Sequence, residues 1–127
     1  MDENQVRSDL KKLAKKNKYI KVLFDTIEHH KKHLAYISDK KTEDTLKQSI
    51  QKFERATKEA LKLEDKYMDC ILRLDMDLQT AILGHYILCK STQKIAFEMS
   101  YDARNVCFMY SKACKKIAQM LNQEAGE

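Results

Sequence analysis

From Val6 the apolar positions advance by alternating steps of four and three: Val6, Leu10, Leu13, Asn17, Ile20, Phe24, Ile27, Lys31 and Leu34. That period lines one face of an α-helix as an a/d seam of coiled-coil type, and only Asn17 and Lys31 interrupt it. Continued in register, the row would reach Ser38, Lys41, Thr45 and Gln48, all polar. A second row starts one position out of phase at Leu46 and runs through Ile50, Phe53, Thr57, Ala60, Glu64, Tyr67, Ile71 and Leu74. Re-phasing across "SDKKTED" predicts a bend, with Thr42 as the N-cap of the second helix and Glu43 and Asp44 in its first turn, where carboxylates suit the helix dipole. Two rows of matched length, each about 45 Å at ~1.5 Å per residue, predict an antiparallel helical hairpin over residues 1–74. The competing reading is one continuous helix that hides its stripe against another chain, and the phase break weighs against it. Asn17 and Lys31 on one seam, with Thr57 and Glu64 on the other, are either register devices or points where the seam opens to solvent or to a second protomer.

The pattern changes after Leu74. "LDMDLQTAILGHYILCKS" predicts a helix with Asp75 or Asp77 as N-cap and Leu78, Ile82, Leu83, Tyr86 and Ile87 inside. Gly84 within it costs about 1 kcal/mol relative to alanine unless close helix packing uses its missing side chain. The next stretch, Lys90 to Ile117, fits two short helices crossing at a tight turn. Ser91 caps the first, Ile95 faces the core, Ala96 is the small residue at the crossing, and Met99 closes the helix. Ser100 takes the turn, Tyr101 plugs back into the core, and Asp102 caps the second helix, whose buried face is Val106, Met109, Ala113 and Ile117. The whole chain therefore reads as all-α: the long hairpin over 1–74, then a three-helix helix-turn-helix unit over 75–127.

Composition agrees with helix. The chain has 127 residues, no proline and two glycines, which disfavours a sheet protein with many tight turns. Net charge is +5, which permits contact with nucleic acid without establishing it. Its distribution says more. Residues 1–36 hold nine Lys/Arg against five Asp/Glu, residues 37–76 nine against nine, and residues 77–127 six against five. Within the last segment, Arg104, Lys112, Lys115 and Lys116 fall between Ala103 and Gln123 without one acid. No apolar run approaches the roughly 18 residues of a membrane span and no leader opens the chain, so the expectation is a cytoplasmic protein without membrane contact.

Catalytic and metal signatures are weak. There is no Gly-rich phosphate loop, G-x-S-x-G or H-E-x-x-H, so no enzyme and no cofactor is expected. Cys70, Cys89, Cys107 and Cys114 form no C-x-x-C pair and read as small hydrophobes in a reducing compartment. His29 and His33 are spaced to share a helix face, but without an evident third ligand no metal site is expected.

The stretch "LDMDLQTAILGHYILCKSTQKIAFEMSYDARNVCFMYSKACKKIAQML" resembles region four of bacterial sigma factors. "IAFEMSYDARNV" stands where that family has an "IAxxLGxSxxxV" core, and "SKACKKI" where it has a basic, alanine-containing helix end. The likeness covers about the last fifty residues, and the hairpin in front is similar to the layout of small phage-encoded regulators of the RinA and ArpU type. The resemblance implies sequence-specific binding of double-stranded DNA through the second helix, in a bacterial host. Ser100 departs from the family's Gly or Asn in the turn, and the outward helix face is less basic than in typical members.

In such a unit the second helix enters the major groove while the first lies across the backbone. Ala103, Arg104, Asn105, Cys107, Phe108 and Ser111 would then face bases: Arg104 forks onto a guanine edge, Asn105 pairs with adenine, and Cys107 or Phe108 packs on a thymine methyl. Lys90, Lys94, Lys112, Lys115 and Lys116 would hold phosphates, helped by the free amides at Ser91 and Thr92. Taken singly, these residues also fit a bland reading, with Phe108 and Tyr110 packing on the hairpin and Lys115 and Lys116 as solvated helix-end cations. Two other functions fit the same sequence. One is an interaction adaptor whose hairpin docks on RNA polymerase or another phage protein, or pairs with a second copy as a homodimer. The other is a small terminase-type DNA-packaging protein, a class that usually assembles into rings.

Overall fold

The computed structural model describes residues 1–126, so the last residue of the 75–127 segment lies outside the described residues. All regular structure in them is helical: α1 (Glu3–Tyr36), α2 (Lys40–Leu72), α3 (Met76–Ile82), a π-helical turn (Leu83–Ile87), α4 (Thr92–Met99) and α5 (Ala103–Ala125). No helix among them is long and apolar enough to cross a membrane.

α1 and α2 lie side by side. Asp9 meets Tyr67, Lys16 meets Glu59 at 2.9 Å, and the rings of Phe24 and Phe53 lie 6.3 Å apart. Numbers rise on one helix as they fall on the other, so the two run in opposite directions. The connection between them is short. Ile37 and Asp39 are extended, and Asp39 caps α2 by accepting from the Lys41 amide at 3.1 Å. The cap expected at Thr42 therefore sits three residues earlier. A carboxylate is the stronger acceptor for first-turn amides, and the Thr42 hydroxyl donates to Asp39 at 2.8 Å instead of capping.

The first seam holds at its start, where Val6, Leu10 and Leu13 are fully buried, and slips further along. Leu23 is buried beside Ile27, while Phe24 is 51 % exposed. The cause lies in what covers α1. Up to about Asn17, whose amide donates to the Tyr86 carbonyl at 3.1 Å, α1 is wedged between α2 and the C-terminal segment. Beyond it only α2 remains, so the buried arc narrows and Phe24 falls on its open flank. Of the second row, Ala60, Tyr67 and Ile71 of α2 and Leu74 just beyond it are buried, while Leu46, Ile50, Phe53, Thr57 and Glu64 are half-buried and Ser49, Ala56 and Cys70 are buried off the row.

A single cluster of buried side chains runs from Val6, Leu10 and Leu13 through Tyr67 and Ile71 to Leu78, Ile82, Ile95, Val106, Ala113 and Ile117. Residues on both sides of position 74 thus share one core. Across the α1–α2 contact, the buried Asp9 carboxylate accepts from the Tyr67 hydroxyl, from Gln5 Nε2 at 3.1 Å and from Lys66 Nζ at 3.4 Å. Burial alone would raise the pKa of Asp9, but the Tyr67 hydrogen bond and the Lys66 charge outweigh it and hold the carboxyl below its usual range.

Asp75 stands at the N-cap position of α3 without a side-chain cap bond, and the apolar face of α3 continues into the π-turn. There the Leu88 N–H reaches five residues back to the Leu83 carbonyl at 2.9 Å. The turn ends at Cys89, a non-glycine residue with φ 57°. Gly84 lies inside it, and a Cβ there would come within 3.3 Å of Ile95 Cγ1 and Cδ1. The missing side chain is used by α4, which packs directly on this backbone.

Candidate nucleic-acid interface

α4 starts where local chemistry requires. The Ser91 hydroxyl accepts from the Lys94 amide at 3.1 Å, and the Thr92 and Gln93 amides of this uncharged first turn have no intrahelical acceptor. Ile95 and Ala96 turn into the core. The helix ends in a Schellman arrangement: the Tyr101 N–H bonds the Ala96 carbonyl at 2.9 Å and the Ser100 N–H bonds the Phe97 carbonyl at 3.3 Å. That geometry places Ser100 at φ 60°, ψ 36°, the left-handed region. Tyr101 does not plug into the core as expected. It is 39 % exposed, and its hydroxyl donates to Asp77 at 2.8 Å, tying the turn to the start of α3 from outside. A phenol with a carboxylate partner in reach keeps its polar end near water.

Asp102 caps α5 through the Asn105 amide at 2.8 Å. The buried face of α5 is Val106, Tyr110, Ala113, Cys114, Ile117 and Ala118, with Met109 half-buried. Behind Tyr110, the His85 ring stacks at a centroid distance of 4.7 Å, and Tyr86 packs edge-on to both. Burial pushes the Tyr86 phenol up to about 12. This aromatic layer and the methyl-sized Ala113 fix the roll of α5, so its opposite face is fixed too. At about 100° per residue that outward face carries Arg104, Phe108, Lys112 and Lys115, flanked by Asn105 on one side and Cys107 and Ser111 on the other.

The residues expected to face bases divide in two. Arg104, Asn105, Cys107 and Phe108 are exposed, Phe108 by 67 %, and lie together near the start of α5. Ala103 is half-buried, and Ser111 accepts a hydrogen bond from Arg7 Nη2 at 2.7 Å. The phosphate set divides likewise. Lys94, Lys112 and Lys115 are exposed and make no ion pair among the described residues, whereas Lys90 pairs with Glu98 at 2.9 Å and Lys116 with Asp75 at 3.3 Å. Thr92 shares a hydrogen bond with the Tyr110 hydroxyl at 3.2 Å. Because the carboxylate of Asp102 sits at the start of α5, the uncharged start of α4 is the better anion end of the two.

Arg7 is the residue that sequence reasoning passes over. It bridges Glu3 at 3.1 Å and Ser111, which brings a guanidinium to the edge of the outward face of α5. Nothing local marks it, since its position depends on the packing of α1 on α5. Among the described residues no group of three or more His, Cys, Asp or Glu is placed to hold a metal ion. No protein-family model matches the chain, and neither a curated protein nor a solved structure shows significant similarity to it.

Proposed function

We propose that this chain is a sequence-specific DNA-binding regulator of transcription, of phage or prophage type, in which a helical hairpin (α1–α2) carries a helix-turn-helix related to sigma region four (α3 to α5). The observation that carries the reading is the outward face of α5. Arg104, Asn105 and Phe108 cluster at its start, Lys112 and Lys115 follow, and no acid occurs from Ala103 to Gln123. A tight left-handed turn at Ser100 joins α4 to this helix, and in a helix-turn-helix the second helix is the one that enters the major groove. Arg104 then forks onto a base edge and Asn105 contributes a paired donor and acceptor. Lys94, Lys112 and Lys115 hold phosphates.

Selection of bound duplexes from a random pool supplies the target site, and two variants then test the roles. Arg104→Ala loses about 1–3 kcal/mol on the selected site and little on random DNA. Lys115→Ala weakens both alike and lowers the log–log salt slope by about 0.9. Equal losses from both variants on both DNAs would overturn the assignment. The far half of the hairpin favours a docking role in addition, since Phe24, Tyr36 (90 % exposed) and Ile37 are open to solvent there. RNA polymerase or a second copy of the chain is the proposed occupant; sedimentation of the protein alone tests the second copy, and co-sedimentation with polymerase tests the first.

A further inference from the structure

Between Leu10 and Phe24 the chain carries six lysines and no acid. Only Lys16 has an ion-pair partner among the described residues, Glu59. Lys11, Lys12, Lys15, Lys18 and Lys21 are all exposed. Like charges three and four positions apart on a helix repel one another, and solvated helix faces usually intersperse both signs. This stretch does not, so an anion from outside the chain would relieve it.

Its location narrows what that anion is. Arg7, Lys11, Ala14, Lys18 and Lys21 step by four, three, four and three and so form one row along α1. Two members of the row touch the C-terminal segment: Arg7 donates to Ser111, and the Ala14 carbonyl lies 4.0 Å from Cys89 Sγ. The row therefore borders α5 and the connection into α4. α1 and α5 run in opposite directions, as the Arg7–Ser111 and Met1–Asn122 contacts require. From Ser111 back to Arg104 is about 10 Å along α5, and from Arg7 forward to Lys18 about 17 Å along α1. Counted from the Arg7–Ser111 contact, Lys11 lies about level with Cys107 and Phe108, and Lys18 and Lys21 lie further along α1 than Arg104 lies along α5.

We propose that Lys11, Lys18 and Lys21 form a second phosphodiester-binding strip, which holds the DNA backbone beyond the segment faced by α5. Its placement rests on the reading of α5 as the DNA-facing helix, but its charge is independent of it. The strip makes the hairpin part of the DNA-binding surface. A row of unpaired cations beside a groove-reading helix complements a backbone that carries one charge per ~1.7 Å of duplex axis.

The test is fluorescence anisotropy on a labelled random-sequence duplex over about 50 to 200 mM NaCl, with the full chain. The triple variant Lys11→Gln, Lys18→Gln, Lys21→Gln should flatten the log–log salt slope by about 2 to 3, since each phosphate that is no longer neutralised removes about 0.9. The control, Lys41→Gln, Lys47→Gln, Lys58→Gln, removes the same charge from exposed positions on α2 and should change the slope by less than about 1. If the triple variant does not fold by circular dichroism, Lys18→Gln alone carries the test, with an expected change of about 0.9. Equal flattening by both triples would overturn the strip in favour of a general charge effect. A wild-type slope in the Lys11, Lys18, Lys21 variant, alongside a flattened slope in Lys115→Ala, would overturn the strip while leaving α5 as the DNA-facing helix. No DNA binding by the unaltered chain at low salt would overturn both and point to an acidic protein surface as the ligand.

Discussion

Ser100 holds a conformation that a side chain resists. At φ 60° its Cβ crowds the neighbouring backbone, a cost of about 1–2 kcal/mol in the left-handed region that glycine escapes. Ser100→Gly removes this cost. It also frees the unfolded chain, which takes back about 0.5–1 kcal/mol. The two hydrogen bonds that close the turn, Tyr101 N–H to Ala96 and Ser100 N–H to Phe97, are both backbone bonds and survive the change. Ser100 is exposed, and its hydroxyl makes no hydrogen bond within the described residues, so nothing else is lost.

The net gain is then about 0.5–1 kcal/mol, which in a chain of 127 residues raises Tm by about 2–4 °C. Ser100→Val places a β-branched side chain at the same φ and should lower Tm by about 4 °C or more. Thermal melts followed by far-ultraviolet circular dichroism measure both. Salt-dependent DNA affinity should not move in Ser100→Gly, because the substitution leaves the outward face of α5 untouched. A glycine variant no more stable than the original, or a valine variant as stable as serine, would refute the claim that steric strain at this turn limits stability.

Tyr67→Phe leaves the buried Asp9 carboxylate without its hydroxyl donor and should cost about 1–3 kcal/mol at neutral pH. The carboxyl of Asp9 is held below its usual 3.8 in the folded chain, so its contribution is complete above that value and is lost as pH falls through the folded one. The stability gap between Tyr67→Phe and the unaltered chain should therefore narrow below about pH 4 in urea melts, and a gap that widens in acid would contradict the pairing. Cys107 is exposed, whereas burial pushes the Cys70 and Cys114 thiols up, so alkylation followed by mass spectrometry should label Cys107 well before either. Excess duplex DNA should slow the labelling of Cys107, and an unchanged rate would count against α5 as the DNA-facing helix.

What the sequence makes legible is what depends on neighbours along the chain. The start of the first row at Val6, Leu10 and Leu13, the caps at Ser91 and Asp102 and the turn at Ser100 follow from side chains within a few positions of one another, and each is found where the pattern puts it. The cap of α2 is a near case. Asp39 and Thr42 both qualify, and the better acceptor prevails. The exchange of Leu23 for Phe24 is of another kind, because it depends on where the C-terminal segment stops covering α1. So are the commitments of Ser111 to Arg7, of Thr92 to Tyr110 and of Lys116 to Asp75, each made between different elements that only packing brings together.

The packing behind α5 links these two kinds of information. A row of buried positions read from periodicity also names the opposite row, so Arg104, Phe108, Lys112 and Lys115 could be placed outward from the pattern alone. Their orientation relative to α1 could not. It is set by a core in which Val6 and Leu10 of α1 share one cluster with Val106, Tyr110 and Ala113 of α5. Interiors packed in this way resist sliding, since shifting one helix along the other opens gaps or forces overlaps. The same packing that buries the inward face of α5 therefore holds the lysine row of α1 at a fixed offset from Arg104. If both strips engage DNA, as proposed, they do so from elements packed on one core, so that Lys18 and Lys21 keep a constant relation to Arg104 when the duplex binds.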